Sequence, residues 1–201
     1  QGDYPSALVW LEQARDSFSA LDDRAGLTLT LIEIGRVRFQ QGEYPSARRE
    51  LETSLELARG LSDTPAAALA LNNLGIMATD QGDYETARAL YEESLALRRE
   101  MGDKRGISGS LNNLGIVANR QGDYATARAL HEESMALRRE IGDKWGISSS
   151  LFNLGNVAHN QGDYASARAL HEESLTLNRE MGDRSSVAGS LNNLGNLAIE
   201  Q

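Results

Sequence analysis

Apolar residues along this chain recur at helical spacing in blocks separated by short polar turns. In residues 102 to 141, Ile107, Leu111, Leu114 and Ala118 mark one face, and Tyr124, Ala127, Leu130, Ser134 and Met135 mark a second. Gly102-Asp103 and Gly122-Asp123 punctuate them. Such a pair reads as a stop followed by a start. Gly takes the left-handed conformation that closes a helix, and Asp accepts the orphan amide hydrogens of the next one while its charge favours that positive end. Connections this short make consecutive helices antiparallel. The same punctuation predicts ten helices, with breaks near Gly42, Gly60, Gly82, Gly102, Gly122, Gly142, Gly162 and Gly182, and no strand.

The pattern is periodic. Gln-Gly-Asp-Tyr begins at residues 1, 81, 121 and 161, with Gln41-Gly42-Glu43-Tyr44 between, so one 40-residue unit is written five times: 1–40, 41–80, 81–120, 121–160 and 161–200. Residues 81–120 and 121–160 agree at 30 of 40 positions, enough for the few that differ to be the place to seek specificity. A fixed period overrides the domain count that length suggests, and residues 1–201 read as a single repeat domain. Gly115 would weaken an isolated helix, yet it recurs at Gly35, Gly75, Gly155 and Gly195, which makes it a packing device.

Leu114-Gly115, Ala118, Gly122, Tyr124, Ala127 and Ser134 sit where the tetratricopeptide repeat has its Leu-Gly, small, turn, aromatic and Ala positions. The chain resembles that family throughout. With its 40-residue period and Asn-Leu-Gly in the first helix, it is most similar to the extended repeats of kinesin light chain, of spindle-orientation adaptors and of bacterial signalling arrays. The family's Trp is Leu111 here, and Arg139 stands at its closing Pro. The resemblance implies an all-α, right-handed superhelical solenoid of antiparallel helix pairs. The array begins at the turn before a second helix and stops at the end of a first helix. Flanking repeats are therefore expected on both sides, and so is head-to-tail association through Tyr4, Ala7 and Leu8 at one end and Leu191, Leu194 and Ala198 at the other.

In the resembled family, the first-helix stripe opposite the packing face lines a concave groove. Asn73, Asn113, Asn153 and Asn193 occupy one position of that stripe, with Glu33 in the first unit. An Asn both donates and accepts, so spaced Asn side chains can hold an extended peptide by its backbone, a role the resemblance also implies. The alternative is that they bridge adjacent helices. Trp145, Phe152 and His159, seven apart, belong to one repeat only, beside Asn156. Neighbouring repeats carry Arg105, Asn112 and Asn119, then Ser185, Asn192 and Ile199, so the scaffold does not require aromatics there. They are either a hot spot for an apolar partner side chain or packing against the adjacent first helix. Asn196, Arg105 and Arg120 complete the candidate groove, whose mixed charge suits a mixed-charge ligand.

Composition narrows the function. A net charge of -9 has the wrong sign for neutralising phosphates, so neither nucleic acid nor anionic membrane is an expected partner. The chain has no Cys, which excludes thiolate zinc sites and Cys nucleophiles and fits a cytoplasmic setting. His131 and His171 stand where Tyr91 stands one repeat earlier and read as core residues. Neither metal site, cofactor fingerprint nor acid-base constellation can be assembled, so no enzyme activity is expected. A peptide- or protein-binding module is the leading expectation. A sensing or autoinhibitory arm of a larger signalling protein and an end-to-end spacer are the alternatives.

Overall fold

The computed structural model describes residues 3–200, and among them it has ten α-helices and no strand. They are α1 (Tyr4–Ala20), α2 (Arg24–Gln40), α3 (Tyr44–Gly60), α4 (Thr64–Asp80), α5 (Tyr84–Glu100), α6 (Lys104–Arg120), α7 (Tyr124–Glu140), α8 (Lys144–Asn160), α9 (Tyr164–Met181) and α10 (Arg184–Glu200). Three-residue turns join most of them, so successive helices within α1 to α5 and within α6 to α10 pack antiparallel, as the Gly-Asp spacing predicts. Contacts group the helices into two compact units, α1 to α5 and α6 to α10, each with its own core. No described helix is long and apolar enough to cross a membrane.

Each turn combines a left-handed residue with an acidic cap. Gly82 has φ of 77° and Gly122 of 80°, and the following Asp83 and Asp123 side chains accept from the amides of Thr86 and Thr126. Hydrogen bonds from the Thr86, Ser166 and Ser186 side chains, together with those from the same residues' amides, hold the Asp83, Asp163 and Asp183 carboxyls below the usual carboxylate range. Two turns depart from the rule. The left-handed residue expected at Gly60 lies two positions later: Gly60 ends α3, and Ser62 takes the conformation at φ 55°. Asp22 takes the same role at φ 53°. At Glu43 the longer side chain makes no cap bond to α3 and instead lies 3.7 Å from Arg38. Replacing Glu43 with Asp should therefore add about 0.5–1 kcal/mol, and Ser62→Gly a similar amount, read as higher urea midpoints with unchanged m-values. Unmoved midpoints in both variants would contradict this account of the turns.

Inside each pair, the glycine of the first helix lies under a side chain 16 residues on. A Cβ placed on Gly35 would come within 2.7 Å of Leu51 Cγ, on Gly75 within 2.6 Å of Tyr91 Cε1, and on Gly115 or Gly155 within 2.7 Å of the His131 or His171 ring. Gly195 has nothing within 4 Å of the same point. Buried serines tie the helices further: Ser54, Ser94 and Ser134 donate to the carbonyls of Thr28, Ala68 and Ser108 at 2.8 to 2.9 Å, and Ser174 to that of Ser148 at 3.2 Å. Every one of these bonds spans 26 residues. Exposed apolar side chains include Tyr4, Val9 and Trp10 on α1 and Leu191 and Ile199 on α10.

Candidate functional site

The second unit carries most of the candidate residues. Asn153 and Asn156 rise from the half-buried stripe of α8, opposite Leu151, Leu154 and Ala158, which are fully buried. With Phe152, His159 and Arg120 they line an open concavity of about 590 Å³ between α6, α7 and α8. Its remaining wall includes Asn119, Asn160, Tyr124 and, on the α7 side, His131. The first-helix stripe therefore brings five of the expected residues to one place.

Amide groups are paired across this surface. Asn153 Nδ2 donates to Asn112 Oδ1 at 2.9 Å, Asn160 to Asn119 at 3.0 Å, and Asn193 to Asn156 at 2.8 Å. Such a bond uses one of two amide hydrogens on the donor and one of two lone pairs on the acceptor, so each side chain keeps capacity for a ligand. His159 Nε2 lies 2.7 Å from Glu200 Oε2, extending the row of cross-helix contacts onto α10.

The other expected residues lie apart from the concavity. Asn193 and Asn196 belong to a cleft of about 50 Å³ with His159 and His171. Asn73, in the first unit, donates to the Leu69 carbonyl of its own helix at 2.9 Å. Asn113 is half-buried on α6, and Arg105 is exposed near the start of that helix. Trp145, 57% exposed, opens onto a separate pocket between α8, α9 and α10, and Phe152 borders both spaces. Phe152 also meets His171 edge-on, with ring centroids 5.3 Å apart.

His131 and His171 are core residues, each 1% exposed. Burial pushes both down to about 4, aided at His131 by the Arg138 charge and at His171 by His159. The equivalent Tyr91 is pushed up to about 12 by burial, and its hydroxyl lies 3.2 Å from Thr79 Oγ1. Sequence reasoning named Asn112 and Asn119 only as the counterparts of Phe152 and His159 and did not single out the pocket between α8, α9 and α10. A spacing of 41 residues, one repeat plus one, is the signal that links Asn112 to Asn153 and Asn119 to Asn160.

The tetratricopeptide repeat family model matches residues 26–100 and 106–180. No curated protein matches the chain in sequence. Among solved structures, BtubC from P. vanneervenii superposes with a TM-score of 0.84 at 16% identity, covering 98% of this chain and 84% of its own. Aspartyl phosphate phosphatase F from Bacillus subtilis also gives 0.84, at 14% identity, over 93% of this chain, which spans 49% of that protein's length. A signal transduction ATPase with a tetratricopeptide repeat sensor from Pyrococcus horikoshii gives the same score at 14% identity, with 96% of this chain matching 30% of that one. At such identities the likeness is one of fold. The two family matches cover most of the sequence, and with the helix pairs and the glycine seats they place this chain in the tetratricopeptide repeat family.

Proposed function

We propose that this chain is a protein–protein interaction module that holds a peptide segment along the open face of its first helices, without catalytic activity of its own and in a cytoplasmic setting. One observation carries the reading. The concavity of about 590 Å³ is lined by four asparagines beside Tyr124, His159 and Arg120, a set rich in neutral donors and acceptors. A peptide backbone presents alternating N–H and C=O groups, and paired carboxamides with spare hydrogens and lone pairs match it without regard to side-chain identity.

Peptides selected from a random display library test this. Asn153→Ala and Asn156→Ala should weaken all of them by a common factor, about 1 kcal/mol per lost hydrogen bond or roughly fivefold in Kd by titration calorimetry. Thermal unfolding of the same variants checks that the helices persist. Normal binding by both variants, together with loss of binding on changing Arg128 and Glu132 of α7, would move the site off this face.

A second reading is an arm that senses or restrains other domains of a larger signalling protein. The likeness to a structure described as carrying a tetratricopeptide repeat sensor favours it. Under that reading the groove occupant is a segment of the parent polypeptide, and library peptides should compete with that segment supplied in trans.

A further inference from the structure

The pocket between α8, α9 and α10 is about 300 Å³ in volume and has no charged side chain in its lining. Its walls are Trp145 and Phe152, and its floor is Ser148, Ser174, Asn178 and Ser186. The floor is polar and, apart from the half-buried Ser186, fully buried. Ser174 is 0% exposed and Asn178 2%, and Asn178 Oδ1 accepts from Ser148 at 2.6 Å while its Nδ2 reaches Ser174 Oγ at only 3.4 Å.

One repeat earlier, the chain fills the corresponding corner itself. Arg138 stands 40 residues before Asn178, and Gly146 and Ser150 stand 40 before Ser186 and Ser190. The Arg138 side chain is 8% exposed, and its Nη1 donates to the Gly146 carbonyl and, at 3.1 Å, to Ser150 Oγ. A Cβ on Gly146 would meet Arg138 Cδ at 2.5 Å, so the glycine makes room for the arginine. Arg98 and Gly106 occupy the same two positions in the repeat before that. In the last repeat both partners change together: Asn is too short to cross the gap, and Ser186 carries the Cβ that an arginine there forbids. The pocket is the space this exchange leaves.

We propose that this pocket receives the guanidinium of an arginine side chain on the bound peptide, taking the place that Arg138 fills from within one repeat earlier. The planar cation can lie against the faces of Trp145 and Phe152, an arrangement that suits guanidinium better than ammonium. Asn178 Oδ1 has a second lone pair, and the Ser186 hydroxyl in the pocket lining is a further acceptor. Asp183, the cap of α10, stands where Asp143 stands beside Arg138, and the net charge of -9 favours a cation. A lysine ammonium would give up more hydration and stack less well. A purely apolar side chain would bring no donor to the second lone pair of Asn178 Oδ1.

This deepens the peptide-binding reading and rests on it, but the pocket can be probed without a peptide. The probe is N-acetyl-arginine amide, titrated into the full chain and followed by the backbone amide resonances of Ser186 and Gly189. It should bind saturably and at least tenfold more tightly than N-acetyl-lysine amide or N-acetyl-citrulline amide. Asn178→Arg combined with Ser186→Gly installs the pair that the chain already carries at 98 with 106 and at 138 with 146, and it should abolish the response. Trp145→Ser, the residue at the equivalent position 185, should weaken it several-fold. Equal response to all three probes, tighter binding of N-acetyl-phenylalanine amide, or an undiminished response in both variants would overturn the proposal. Library peptides that bind while arginine amide does not would sink this inference alone. Arginine amide binding that survives while Asn153→Ala and Asn156→Ala leave every peptide unaffected would sink the groove reading alone.

Discussion

Gly155→Ala is expected to destabilise the second unit by about 1–3 kcal/mol, an overpacking cost, whereas Gly195→Ala should be neutral or stabilising by about 1 kcal/mol through helix propensity. The two glycines occupy the same repeat position, 40 residues apart. They differ in what lies above them. At Gly155 the new methyl would sit 2.7 to 2.9 Å from three atoms of the His171 ring, and that ring is fixed by Phe152 on another side. At Gly195 no atom comes within 4 Å. Because chemistry and backbone conformation are matched, the difference isolates the steric term. Urea unfolding of the two variants measures it, and equal effects would show that the ring moves aside freely. His171→Ala should offset most of the Gly155→Ala cost while adding a cavity cost of its own, so the pair should be strongly non-additive.

Acid should unfold the protein in a window set by its buried imidazoles. Both His131 and His171 are held at about 4, against 6.5 for an unperturbed histidine. The unfolded chain therefore binds their protons first as pH falls. Stability is fully present above about pH 6.5, declines between there and pH 4, and loses about 3 kcal/mol per histidine by the bottom of the window. The capping aspartates act lower down. Their carboxyls are depressed in the folded state, so their contribution is present above the unfolded value of 3.8 and fades only below it. His131→Tyr should remove half of the upper transition, since Tyr91 fills the same seat over Gly75 and does not titrate there. Its hydroxyl would point toward Asn119, the counterpart of the Thr79 that Tyr91 contacts. Denaturation midpoints between pH 7 and pH 4 provide the check, and a flat profile in the parent chain would mean that the imidazoles charge without cost.

Much of this was written locally in the chain. Gly-Asp turns, helix number and the packing role of Gly115 follow from short spacings and from repetition, because both helix ends and their caps are decided within four residues. Where the turn chemistry changes, as at Ser62, the nearest glycine misleads by two positions. Pairing of Asn112 with Asn153 depends on how two first helices lie side by side, which no local pattern encodes. Trp145, Phe152 and His159 share one edge by spacing, yet residues from α7, α9 and α10 divide that edge into separate spaces. The α9–α10 pocket was hardest to foresee. It arises because Asn178 is short, and shortness leaves a mark only when 98, 138 and 178 are compared alongside 106, 146 and 186.

The serine bonds that span 26 residues have a genetic corollary. Each joins a second helix to the first helix just before it in the chain, so donor and acceptor always stand 26 residues apart across the junction of two 40-residue units. Unequal crossing-over between in-phase copies of the coding sequence then yields a longer or shorter array in which every surviving serine still finds its carbonyl. Removal of residues 85 to 124, for example, fuses Tyr84 to Ala125, keeps the bonds made by Ser54 and Ser174, and sets Ser134 26 residues after Ala68, whose carbonyl replaces that of the deleted Ser108, though the helices on either side of the fusion would meet at a novel seam. Gene-level expansion and contraction can thus lengthen or trim the array without inventing a new fold, and point changes such as Arg to Asn at one copy can diversify it afterwards.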